Sequence, residues 1–104
     1  DFDIDRAREI IAEAAYVFRV TPEDMRSRTA RHPSVISARQ ASMAIMEDLC
    51  EGATKQVIAD HMGFSWATIR EGIANHRRRV YSEQNIDLAD RAIRETIVSR
   101  MEVA

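Results

Sequence analysis

Within the run from Lys55 to Ala74, KQVIADHMGFSWATIREGIA, a small residue, a glycine and a branched aliphatic residue fall at fixed offsets. Ala59 is fifth, Gly63 ninth and Ile69 fifteenth, with Ile58, Met62 and Ile73 supplying apolar positions four, eight and eighteen. Two short helices can cross closely only where one presents a side chain as small as Ala59. The chain can reverse between them within a few residues only at a position tolerant of positive φ, which Gly63 provides. Ile69 and Ile73, one turn apart, then anchor the second helix to a core. The spacing is that of a helix-turn-helix, in which one face of the second helix stays free to enter a major groove. Thr54 is expected to cap its first helix, from about Lys55 to Met62, and Ser65 its second, running to about Arg79.

The rest of the chain also reads as helix. Ile4, Ala7, Ile10, Ile11, Ala14, Ala15 and Phe18 recur at three- and four-residue spacing behind Asp3, Asp5 and Glu9, as in an amphipathic helix with acids at its positive end. Thr21 and Pro22 open a short second helix as N-cap and first helical residue. RSRTARHPS follows as a basic loop broken by Pro33. From Ser34 a stripe of Val35, Ala38, Ala41, Met43, Ala44, Ile45, Leu49 and Cys50 predicts a long central helix ending at Gly52. Asn85 and Asp87 start a last helix with Leu88, Ala92, Ile93, Ile97 and Met101 on one side. No segment alternates with the period of a strand. The expected fold is all-α, with six helices.

A chain of 104 residues with 45% apolar content suits one domain with a modest core. It opens at Asp1 rather than at a methionine, so it is expected to be a piece of a longer polypeptide. The lone Cys50 has neither a disulfide partner nor metal-ligand spacing and reads as core packing in a reducing compartment. No apolar run approaches the roughly 18 residues that span a bilayer, and no signal-peptide pattern opens the chain. The expected location is the cytoplasm, in association with the nucleoid.

The overall charge of −2 conceals a pattern. Residues 1–25 hold three Arg against seven acids and residues 80–104 three Arg against five, whereas residues 26–79 hold nine Lys or Arg against five acids. Positive charge is therefore concentrated on the helix-turn-helix and the loop before it, as a surface that meets phosphate requires.

The groove-facing candidates are the residues at the start and outer face of the second helix of the unit: Ser65, Trp66, Ala67, Thr68, Arg70, Glu71 and Ala74. Arg70 can bond a guanine edge with its planar fork, Glu71 can accept from a cytosine amine or hold Arg70, and Ala67 can pack on a thymine methyl. Ser65 and Thr68 suit phosphate or base-edge hydrogen bonds. Trp66 either contacts sugar and base surfaces or folds back onto Phe64. His76, Arg77, Arg78 and Arg79 close the helix, where cations also complement the helix dipole. Consecutive positions there span about 300° of the circumference, so at most two can face one phosphate backbone, and Arg77 and Arg78 are the candidates. In the basic loop, Arg26, Arg28, Arg31 and His32 suggest an arm reaching toward a narrow minor groove, with an ordinary solvated connection as the alternative.

With VTPEDMRSRTARHPS, ARQASMAIMEDL and VIADHMGFSWATI in this order, the chain resembles, over about residues 6–98, the C-terminal DNA-binding domain of the bacterial replication initiator DnaA, a Trp-repressor-like helical fold. The resemblance implies that an arginine of the basic loop, Arg28 or Arg31, reads the minor groove and that Arg39, of the Arg39-Gln40 pair, lies near phosphate. Initiators carry a signature of the form GGRDHTTV across the turn and the start of the recognition helix. This chain has GFSWATI there, retaining only Thr68 and Ile69, with one residue fewer in the unit and one more in the basic loop. The departure implies a relative redirected to other sites, such as a phage-derived or gene-transfer-agent regulator.

No catalytic constellation is present in the sequence. His32, His61 and His76 lack metal-ligand spacing, no Ser or Cys nucleophile has a motif around it, and Glu9 and Glu13 read as solvated charge on one helix face. An enzyme is not expected, nor is a cofactor. The expected partner is double-stranded DNA and the expected role transcription regulation, with replication-origin binding as the alternative. A helical protein-interaction module, docking the transcription machinery or a second copy through the acidic first and last helices, is the alternative from another class.

Overall fold

The computed structural model describes residues 1–103, and each helix foreseen in the sequence is present. In order they are α1 (Ile4–Phe18), α2 (Pro22–Arg26), α3 (Pro33–Leu49), α4 (Lys55–Met62), α5 (Trp66–Ser82) and α6 (Gln84–Val103), with no strand among the described residues. Their starts are chemically marked. Asp3 accepts from the Arg6 amide, and Thr21 and Asp24 form a reciprocal capping box with Pro22 at the first position of α2. Thr54 accepts from the Val57 amide, and Ser65 from that of Thr68. These caps satisfy first-turn amides that have no partner inside the helix. Gly63 ends α4 at φ 78°, a conformation that glycine adopts without a steric cost.

Helix α3 is the central strut, packed most extensively against α1 and α5. Ala38, Ala41 and Ala44 are fully buried along it, and small side chains there let the neighbouring helices approach. At Gly72 of α5 the approach is closest, since an added Cβ would lie 2.5 Å from Met43 Sδ. All six helices feed one core, from Ile10 of α1 and Met25 of α2 through Ile45, Ile58 and Ile69 to Ile93 and Ile97 of α6. Burying each such Ile or Met side chain contributes about 1.5 to 3 kcal/mol before conformational entropy is subtracted. Cys50 is part of this core, and burial, reinforced by Asp3 against Arg6, pushes its thiol up to about 11. None of the described helices is long and apolar enough to cross a membrane.

Three boundaries differ from expectation. Helix α3 ends at Leu49, with Cys50 as its C-cap, and it starts at Pro33 because the His32 ring accepts from the Ser34 amide. Helix α5 runs beyond Arg79 to Ser82, and only Glu83, in an extended conformation, separates it from α6. Without a glycine or proline there, the sequence carried no stop signal.

The buried face of α6 also differs. Its inward residues are Ile86, Asp90, Ile93 and Ile97, while Leu88 is 57% exposed and Ala92 and Met101 lie outside. Asp90 turns inward because hydrogen-bonding partners await it. The His76 imidazole Nε2 lies 2.8 Å from its carboxylate with both side chains buried, and Arg94 Nε donates to it at 2.9 Å. Burial alone would raise the Asp90 pKa, but the hydrogen bonds from His76 and Arg94 outweigh it and hold the carboxyl below its ordinary range. Arg94 also reaches Asp48 of α3 at 2.9 Å, so the pair ties α6 to both α5 and α3.

A depressed folded pKa stabilises the fold above the unfolded carboxylate value, and that stabilisation is lost as pH falls through the folded value. His61, whose imidazole is held below 6.5 first by burial and then by Arg8 and Arg26, adds a loss that begins as pH falls below that value. Urea unfolding followed against pH should therefore show stability falling on acidification. Asp90→Ala should cost about 1 to 3 kcal/mol at pH 7 by leaving the buried His76 without its partner, and should flatten the steepest acid limb. An unchanged unfolding midpoint in that variant would show the pair to be dispensable.

Candidate nucleic-acid interface

Helix α5 is divided lengthwise. Ile69, Gly72, Ile73 and His76 are buried, whereas Trp66, Ala67, Thr68, Arg70, Glu71, Ala74, Arg77 and Arg78 are exposed. The exposed set contains every groove-facing residue expected from the sequence on this helix, together with Ser65 at its cap. The hydroxyls of Ser65 and Thr68 lie 2.9 Å apart in the capping arrangement, so any external hydrogen bond they make must share it. Trp66 does not fold back onto Phe64. Its indole is 46% exposed and the Arg70 guanidinium lies over it, 5.3 Å from the ring centroid.

The four basic residues that close α5 take four different roles. His76 is buried against Asp90. Arg77, expected at phosphate, is paired instead with Glu47 and Asp48 of α3, 3.0 Å from each, and its charge is largely neutralised there. Among the described residues Arg78 bonds only the neutral Asn75 amide oxygen and has no acidic partner. Arg79 is held by Glu83 and Ser37. A cluster that is uniform in sequence is divided because consecutive helical positions face different neighbours.

Arg39 requires the largest correction. Expected near phosphate, it is only 6% exposed and sits beneath the basic loop. Nε donates to the Met25 carbonyl at 2.9 Å, Nη1 to that of Ala30 at 3.1 Å, and Nη2 to those of Asp24 and Ser27. Two of these carbonyls belong to the last turn of α2, so the guanidinium caps the negative end of a helix too short to persist alone. Burial first, and then the nearby Arg31 charge, lower its pKa, while Asp24 acts in the opposite sense. A guanidinium nevertheless remains charged. The Phe64 ring lies against it, 5.4 Å from centroid to guanidinium carbon, joining the loop to the turn between α4 and α5.

The loop is consequently built rather than free. The Ser27 hydroxyl accepts from the Thr29 and Ala30 amides, and Arg28 Nη2 donates to the Gly63 carbonyl at 2.8 Å. That last bond fastens the loop beside the N-terminus of α5. Between them lies a cleft of about 410 Å³ with Ile36, Met43 and Phe64 in its floor and Arg28, Arg31, Gln40 and Thr68 around it. Arg28 and Arg31 are both exposed, and neither has an acidic partner among the described residues. Phe64 and Gln40 were not anticipated in this role, because a single aromatic residue after a turn and a helical glutamine carry no local signal of a shared cleft.

The acidic ends of the chain lie elsewhere. Helices α1 and α6 pack on each other, and Arg100 sits 3.8 Å from Glu9 and 3.6 Å from Glu13, so these acids are partly neutralised rather than simply solvated. The chain matches no protein-family model and shows no significant match to a curated protein.

If Arg39 organises the loop, Arg39→Ala should cost about 3 kcal/mol or more of stability. Amide hydrogen exchange should then show protection lost first across residues 24–30. Arg39→Lys should not restore it, since a single ammonium cannot reach four carbonyls as a planar fork does. Restoration of both stability and protection by lysine would show that charge alone suffices.

Proposed function

We propose that the chain is a sequence-specific double-stranded DNA-binding domain of a transcription regulator, with α5 in the major groove and the Arg28–Arg31 loop toward the adjacent minor groove. The observation that carries this is the Arg28 bond to Gly63, which holds a loop of unpaired cations beside the bare face of a helix following a glycine turn. A helix seated in the major groove and a basic segment lying next to it address neighbouring grooves of one duplex. Arg70, free of hydrogen-bonded and ionic partners among the described residues, is assigned to a guanine edge, and Arg31 and Arg78 to phosphate or the minor groove.

Within this proposal the fold is that of the initiator's C-terminal domain. The residues that differ from the initiator signature, Phe64 to Ala67, include those at the start of the exposed face of α5, where a target would be read. A change of target rather than of binding mode follows, which favours a regulator over an origin binder. An interaction module docking through acidic helices has less support, because part of that acidic surface is paired with Arg100.

Affinity for random duplex should fall steeply with salt, and Arg78→Ala should lower the slope of log K against log salt by about 1. On a site selected from random duplexes, Arg70→Ala should cost about 1 to 3 kcal/mol and relax the preference at one base pair. Arg28→Ala and Arg31→Ala should weaken binding most where the flank is rich in A·T pairs. The absence of any duplex affinity at low salt would sink the proposal, and selection of an initiator box would transfer it to replication.

A further inference from the structure

Resting on the DNA-binding proposal, we infer that Trp66 and Arg70 form one reading unit for a two-base-pair step. Arg70 takes a guanine, and the Trp66 indole takes the 5-methyl group of a thymine in the neighbouring pair. Trp66 is thus both a contact and the residue that positions Arg70.

The physical basis lies in what the stack occupies and what it leaves free. A guanidinium lying over an indole uses its face, whereas its N–H donors point outward in its plane. The Arg70 guanidinium lies over the ring, 5.3 Å from its centroid, and no hydrogen bond or ion pair of Arg70 occurs among the described residues. A long side chain otherwise loses rotamer freedom on binding a base, and stacking removes part of that loss beforehand. The donor edge left open matches the O6 and N7 acceptors of guanine.

Trp66 remains 46% exposed at the first position of α5, which leaves apolar surface open to a ligand. In the major groove the apolar feature of a base edge is the thymine methyl, and an aromatic side chain is one of its natural contacts. Residues four apart are about 6 Å apart along a helix axis and successive bases rise about 3.4 Å per strand, so two side chains held 5.3 Å apart can reach bases one or two steps apart. The adjacent Ala67 is small and leaves the indole room to approach the bases.

The test uses the chain with a duplex selected from random sequence, in which each thymine is replaced singly by deoxyuridine, removing only the methyl. At one thymine next to the selected guanine, the replacement should weaken wild-type binding about fourfold, the worth of one buried methyl. In Trp66→Ala the same replacement should have no effect, and the preference for guanine should fall although Arg70 is intact. Trp66→Phe should restore guanine preference and sensitivity to the methyl in part. Because Trp66 is the only tryptophan, its fluorescence should change more on the selected duplex than on the deoxyuridine duplex or on random DNA.

Equal losses from deoxyuridine in wild type and in Trp66→Ala, or unaltered guanine preference in Trp66→Ala, would overturn the reading unit while leaving DNA binding in place. Failure to bind any duplex at low salt would remove both proposals together.

Discussion

A buried guanidinium holds the basic loop and the start of the molecule's fifth helix together. Arg39 projects from the strut α3 into the carbonyl oxygens of a segment that has little else to fold around. Helix α2 has five residues, of which only Met25 is buried, and no residue of the loop from 27 to 32 is buried. Neither would keep a conformation in water by its own propensity. The charge of Arg39 is tolerated in the interior because four carbonyls and the negative end of α2 surround it. Those carbonyls in turn stay ordered because the charge is there. With Phe64 against the same guanidinium and Arg28 bonded to Gly63, the loop and the turn between α4 and α5 become one corner.

A second polar network serves the opposite end of α5. His76 and Asp90, buried between α5 and α6, are continued by Arg94 to Asp48, and from the adjacent Glu47 to Lys55 at the start of α4. Exposed pairs of this kind contribute little individually. The buried His76–Asp90 contact matters more, because separating its members leaves polar groups without water. It fixes the rotation of α6 about its own axis and, through Arg77 with Glu47 and Asp48, the far end of the helix proposed to read DNA. The cations of α5 thus divide between holding the helix in place and remaining available to a ligand.

Much of the fold was legible in the residues. Apolar period, capping side chains and Gly63 located five helix starts to within a residue or so and identified the exposed face of α5, because each of these signals is local. The candidate interface was legible only in part. Arg28, Arg31, Arg70 and Arg78 are exposed as expected, but Arg77 and Arg39 are committed to other parts of the protein. An arginine written in sequence looks the same whether its partner is a solvent ion, a carboxylate two helices away or the backbone of a loop, and only the folded arrangement distinguishes them. The same holds for Asp90, which moved the buried face of α6 away from the stripe its apolar residues suggested.

By itself, the sequence determined an all-helical chain with a short two-helix unit around Ala59, Gly63 and Ile69, since periodicity, caps and a positive-φ glycine act over one or two turns. Tertiary structure alone decided which cations remain free, that the basic loop is a built surface, that a cleft lies between it and α5, and that Trp66 and Arg70 stack in the open. These depend on contacts between residues as far apart as Arg28 and Gly63 or Arg77 and Glu47. Pairing across such distances is settled by packing, which no local pattern encodes.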